Sequence, residues 1–126
     1  MIEINNLTDY TVDKKFFSTV AKKVLLGENR GTQTISLAFV RKAEMKKLNK
    51  KFRGKDKPTD VLSFELDEGS NLGEIVICPE IVKEKKEKMP EVFVHGILHL
   101  CGYDHENGEK EAEEMEKKQE KYLSNI

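Results

Sequence analysis

Apolar residues recur along this chain in two rhythms, one of period two and one near 3.6. Residues 32–40, TQTISLAFV, alternate so that Ile35, Leu37 and Phe39 share one face, the pattern of a half-buried strand. Val61 to Leu66 and Leu72 to Cys78 read as further strands. The turn residues DEGSN from Asp67 lie between them, so the two are expected to pair as a hairpin. Ile2 to Asn5 is a short edge-strand candidate. Helical spacing links Phe17, Val20, Ala21, Val24 and Leu25, which predicts a helix capped at Thr11 or Asp13, running to about Leu26, with Gly27 just beyond. Lys42 to Phe52 reads as a second helix that buries Met45, Leu48 and Phe52 and turns its lysines to water.

Arg53 to Asp60 is a polar loop punctuated by Gly54 and Pro58. Pro79 opens a short helix to about Lys88, and Pro90 opens another, because proline is well tolerated in a first helical turn. The second of these carries Val92, Phe93, Val94, Ile97, Leu98 and Leu100, and should be the most buried helix of the molecule. A last helix runs from about Gly108 to Leu123 with Ala112, Met115, Gln119 and Tyr122 on its inner stripe. The order β-α-β-α-β-β-α-α-α implies an α+β fold: one mixed sheet of four strands covered by about five helices. There are no repeats and no linker, and 126 residues suit a single domain spanning 1–126.

Composition refines this only where it is uneven. No apolar run is long enough to span a bilayer and the N-terminus has no signal-peptide pattern, so no membrane association is expected. Two cysteines, Cys78 and Cys101, are too few for a disulfide framework and fit a reducing, cytoplasmic setting. The net charge of −1 conceals segregation. Arg41, Lys42, Lys46, Lys47, Lys50, Lys51, Arg53, Lys55 and Lys57 are opposed only by Glu44 and Asp56, whereas Glu106 to Glu120 leans acidic. Such a basic segment is a candidate phosphate-backbone surface, although on charge alone a solvated helix face is the simpler reading.

The chemistry is concentrated in HGILHLCGYDH. It holds all three histidines, His95, His99 and His105, in the spacing H-x3-H-x5-H with Gly102 before the third. Positions four apart lie about 40° apart on a helix, so His95 and His99 can aim at one point. Gly102 can end the helix in a left-handed turn that brings His105 back as a third ligand. Three nitrogen ligands with a fourth position open is the arrangement of a catalytic zinc, one per chain, on a buried helix and the turn after it. Three imidazoles also suit nickel, copper or iron. Cys101 points away from His99 and reads as a small buried residue. Asp104 can orient an imidazole or make a local Asx-turn. The pattern overlaps the metzincin protease motif, but Gly96 stands where that motif carries its glutamate base. A peptide or amide hydrolase therefore remains an alternative that lacks its proton acceptor.

Three segments, LNKKFRGKDKPTDVLSFE from Leu48, GEIVICPE from Gly73 and HGILHLCGYDH from His95, together resemble the YbeY family of bacterial metal-dependent endoribonucleases. The resemblance implies a mixed four-stranded sheet with helices around it. It also implies a cytoplasmic RNase acting on single-stranded ribosomal RNA, in rRNA maturation and ribosome quality control, with the ribosome or its subunits as partner. The family's metal-binding histidines map onto His95, His99 and His105, and its functional arginine onto Arg53. The planar fork of Arg53 suits a phosphate; its alternative is a surface ion pair with Asp56 or Asp60. Lys55 and Lys57 are candidates for flanking phosphates, and Asp60 and Glu74 for lining the site. Tyr103 can stack a base or pack under its loop. A non-catalytic ribosome-associated RNA-binding factor is the third reading.

Overall fold

In a computed structural model, which describes residues 2–104 and 108–124, the four strands form one sheet in the order β1-β2-β4-β3. The strands are β1 (Ile2–Asn6), β2 (Thr34–Phe39), β3 (Val61–Glu68) and β4 (Asn71–Ile77). β1, β2 and β4 are parallel in sequence of pairing, and β3 joins β4 antiparallel at the edge, as a hairpin. The helices are α1 (Lys14–Gly27), α2 (Lys42–Arg53), α3 (Pro79–Glu84), α4 (Met89–Leu100) and α5 (Glu109–Leu123). The α+β class, the mixed four-stranded sheet and the five helices are as the sequence implied. Among the described residues no helix is long and apolar enough to cross a membrane.

Strand alternation sends side chains to two cores. Ile35, Leu37 and Phe39 of β2 and Ile75 and Ile77 of β4 meet Phe17, Val20 and Val24 of α1, Phe93, Ile97 and Leu98 of α4, and Met115 of α5. Phe17 sits at the centre, edge-on to Phe39 at 5.3 Å and to Phe93 at 5.1 Å between ring centroids. On the opposite face Val76, Cys78 and Leu62 pack with Met45 of α2 and Ile81 of α3. Seven α4 residues are buried, including every apolar position named above, so this helix is the spine of the molecule.

The local boundaries have local causes. Asp13 caps α1: its Oδ1 accepts the Phe16 N–H at 3.1 Å. α2 continues to Arg53 and stops where Gly54 adopts φ +71°, in the left-handed region. The DEGSN turn is tighter than its composition suggested, because β3 extends to Glu68 and β4 begins at Asn71. α3 is shorter than expected and ends at Glu84.

One predicted core residue is not in the core. Phe52, placed by helical spacing beside Met45 and Leu48, is 55% exposed. The buried stripe of α2 is Met45 and Asn49, and Leu48 is only half-buried. The last turn of α2 meets β3, the outermost strand of the sheet among the described residues, and so runs past the sheet's cover. The Phe52 ring packs on that edge strand at Phe64, with centroids 4.9 Å apart.

Candidate active-site cleft

A cleft of about 780 Å³ straddles the open edge of β3. Phe52 and Arg53 of α2 line it on one side, residues 59–64 form its floor, and Val92, His95 and His99 of α4 line the other side with Gln119 of α5. Asp104, Glu87 and Glu91 complete the wall. The two faces of the sheet explain how this happens. Ser63 of β3 faces α4, its hydroxyl donating to the Gly96 carbonyl at 3.3 Å, whereas Leu62 and Phe64 face α2.

His95 and His99 stand one turn apart on α4, each half-buried, while the residues around them are sealed in the core. His95 Nδ1 lies 2.7 Å from Gln119 Oε1. An amide oxygen only accepts, so Nδ1 carries the proton and the basic lone pair sits on Nε2. Gln119, read from sequence as part of the inner stripe of the last helix, thus joins α5 to the histidine helix. The helix ends in the expected glycine turn: Gly102 has φ +103°, its N–H donates to His99 O and the Tyr103 N–H to Leu98 O, both at 3.1 Å. His105 lies outside the described residues. Among the described residues no three His, Cys, Asp or Glu side chains are gathered as a metal site. The two imidazoles, one turn apart on α4 and lining the same cleft, are of a donor type that suits a first-row metal, and His95 Nδ1 has a neighbouring amide to orient its ring.

Position 96 carries no carboxylate, and the space for a side chain there is tight. A Cβ there would stand 3.1 Å from Ile75 Cγ2 and 3.4 Å from Ser63 Oγ. A side chain at this position would require Ile75 to give way by a few tenths of an ångström.

Arg53 lies in the cleft, and the two carboxylates that offered themselves as its partners are held by lysines instead. Asp56 is 3.9 Å from Lys46 and 4.0 Å from Lys50, and Asp60 is 3.6 Å from Lys85. Lys55, Lys57 and Glu74 are not among the cleft-lining residues. Lys57 instead lends its backbone carbonyl to Asn49 Nδ2 at 2.8 Å, which ties the loop after Arg53 to the buried side of α2. Asn49 is 1% exposed, a buried polar anchor that the lysine-rich surroundings disguised in the sequence.

Asp60 does line the cleft, and it is paired with Glu87. Its Oδ1 accepts the Val61 N–H at 2.9 Å and the Thr59 hydroxyl at 3.1 Å. Burial opposes its ionisation, but the hydrogen bond from Glu87, the Lys85 charge and these donors outweigh that and hold its carboxyl below the usual range. Two carboxyl groups in hydrogen-bonding contact share a proton, and Glu87 keeps it. Desolvation first, then the hydrogen bond and charge of Asp60, raise Glu87 to about 7.

Tyr103 is not on the cleft. It sits by a second recess with Glu28, Arg30, Cys101 and Gly102, partly buried against the main core. Burial raises it to about 12, helped by its hydrogen bond to Glu28. Glu28, at the end of α1, also accepts a short hydrogen bond from the Tyr122 hydroxyl and lies 3.4 Å from Lys118. Cys101 is half-buried, and burial raises its thiol to about 11, in keeping with a packing role.

Fold and cleft together define an α+β protein with an imidazole-bearing helix and an arginine converging on an edge-strand groove. The chain belongs to the YbeY family: a sequence profile described as "Endoribonuclease YbeY" matches residues 3–126. It is similar to the endoribonuclease YbeY of Thermotoga maritima, 44% identical over 104 residues that cover 76% of this chain and 69% of the relative. It is likewise similar to that of Persephonella marina, 38% identical, covering 95% of this chain and 88% of the relative. A solution structure of a Thermotoga maritima protein superposes with a TM-score of 0.69 at 38% identity, covering 97% of this chain and 86% of that one.

Proposed function

We propose that this chain, as one domain over residues 1–126, is a metal-dependent endoribonuclease that cuts single-stranded RNA. Its setting, in the cytoplasm and in ribosomal RNA maturation and ribosome quality control on the ribosome or its subunits, is the one its family resemblance implies. The observation that carries the catalytic reading is the convergence of His95, His99 and Arg53, from two helices on opposite faces of the sheet, on one groove along β3.

His95 and His99, with His105, would hold a zinc ion. When bound, zinc supplies Lewis acidity toward a phosphoryl oxygen and so favours attack at phosphorus. Gln119 fixes the His95 tautomer that ligation needs. Arg53 grips the non-bridging oxygens of the scissile phosphate with two parallel N–H donors and stabilises the charge that grows there. The remaining task is to deliver a proton to the departing 5′-oxygen. Glu87 keeps a proton up to about pH 7, with Asp60 beside it as the ionised partner.

The tight fit at Gly96 counts against the peptidase alternative. A non-catalytic RNA-binding factor predicts binding of the strand without new ends. The test is end-labelled single-stranded RNA incubated with zinc-loaded and with chelated protein, followed by analysis of the new ends. Endonucleolytic cuts that vanish on chelation and return with zinc support the reading. A 2′,3′-cyclic phosphate would assign the attack to the ribose hydroxyl, and a simple monoester with a free hydroxyl would assign it to water. Absence of cuts on both naked RNA and ribosomal subunits would refute it.

A further inference from the structure

Resting on the ribonuclease reading, we propose that Phe52 is the base-stacking platform of the cleft: an unpaired nucleobase lies on its ring while the adjoining phosphate meets Arg53.

Five large apolar side chains are exposed among the described residues, Leu7, Tyr10, Leu26, Phe52 and Leu66, and of these Phe52 alone lines the cleft. Exposure of a phenyl ring to water is unfavourable, and here the α2 helix continues one turn past its last buried residue to present it. The ring is held from behind. Phe64 on β3 packs against it with ring centroids 4.9 Å apart and planes at 62°, so it is braced by the sheet yet still more than half open. A braced, exposed aromatic ring is what base stacking uses, because every base offers a π-face and little else need match.

The surroundings match a nucleotide rather than an apolar peptide. Lys51 Nζ is 5.2 Å from the Phe52 ring centroid, and Arg53 follows at the next position. A base on the ring therefore has the Lys51 ammonium beside it and the Arg53 guanidinium in the same cleft for its phosphate. The cleft then runs over the edge of β3 to His95 and His99. A strand threading that path would stack on the α2 side and present its phosphorus on the α4 side. Bases locked in a duplex cannot reach the ring, so this platform selects single strands without reading sequence.

The chain contains no tryptophan, so Phe52→Trp introduces its only indole at the platform, excited selectively at the red edge beyond tyrosine absorption. The probe is a single-stranded oligoadenylate with 2′-O-methyl riboses, with saturation established independently by filter binding. Emission should be quenched by this strand and not by the same sequence in a duplex, and Leu26→Trp, on exposed surface outside the cleft, should stay unquenched. In cleavage assays Phe52→Ala should weaken strand binding by roughly 5- to 150-fold, a loss that falls on KM rather than kcat, and Phe52→Tyr should restore it. Unchanged emission at saturation, or binding by Phe52→Ala equal to wild type, overturns the platform while leaving the nuclease. Failure of the wild-type protein to bind single-stranded RNA overturns both, and emission that responds to a protein partner but not to RNA assigns the ring to protein docking instead.

Discussion

At the scale of single residues, the cleft depends on groups whose partners have been chosen for them. Glu87 is the clearest case. Its carboxyl titrates near 4.5 when unperturbed and at about 7 in the fold, so the folded state holds its proton more tightly than the unfolded chain does. That contribution to stability is complete below about pH 4.5 and is lost as pH rises through about 7. Asp60 works the other way: its lowered value gives stability above its ordinary 3.8 that is lost as pH falls. Lys85 and Glu91 are the other charges felt by Glu87, and neither reverses the direction. Glu87→Gln, whose amide still donates to Asp60, should therefore gain stability relative to wild type between pH 6 and pH 8, read as the difference in urea midpoints. A difference that is flat with pH would deny the shared proton. Tyr122→Phe probes the second cluster. Glu28 has a side chain only 7% exposed, and its burial is outweighed by hydrogen bonds from Tyr122 and Tyr103 and by Lys118. Losing the Tyr122 donor to a buried carboxylate should cost about 1.5–3 kcal/mol in urea unfolding. Arg53→Ala should lower kcat/KM by about 100-fold or more, and Arg53→Lys should recover little of it, because a lysine cannot grip two oxygens at once. Neither Arg53 variant should shift the melting temperature, since the residue is exposed. Partnerships of this kind were not legible in the sequence. Nothing in the spacing joins Asp60 to Glu87 or His95 to Gln119, because each pair is made by packing between elements distant in the chain.

Elements were more legible, and where they failed the cause is the sheet's finite width. α1, β2 and α4 were visible in their periods, since each buries an unbroken apolar face, whereas α3 was marked by Pro79. The misplacement of Phe52 came from the same rule applied one turn too far: periodicity tells which face of α2 is inward, not where the sheet beneath it ends. Tyr103 illustrates the converse. Its place between Gly102 and Asp104 drew it toward the site, but the glycine turn carries its ring to the Glu28 side. That turn is itself testable. Gly102 has φ +103°, where a Cβ is strained although nothing lies within 4 Å to obstruct it. Gly102→Ala should cost about 1 kcal/mol or more through backbone strain alone, measured by thermal or urea unfolding. A neutral result would mean that the turn relaxes without penalty.

For the whole molecule, the segregated charges acquire a place. Of the basic segment, Arg53 at the end of α2 reaches the cleft, and the histidine helix lines its other side across β3. Several of the α2 cations are partly spent on neighbours, Arg41 on Asp9 at 2.6 Å and Lys42 on Glu84 at 2.8 Å, whereas Lys51 and Arg53 at its end lie by the groove. The placement of His95 and His99 on one wall of the cleft was the most legible feature of the site because i, i+4 spacing on one helix is a local property. The groove beside those histidines is a property of the sheet, formed along the outer edge of β3. The most direct measurement is the initial rate of cleavage of labelled single-stranded RNA by zinc-replete protein beside His99→Ala, with circular dichroism of both. Cleavage by the wild type, reduced by about 100-fold or more in a variant of unchanged fold, is the expected result. Equal rates in the two proteins would contradict a nuclease built on this helix.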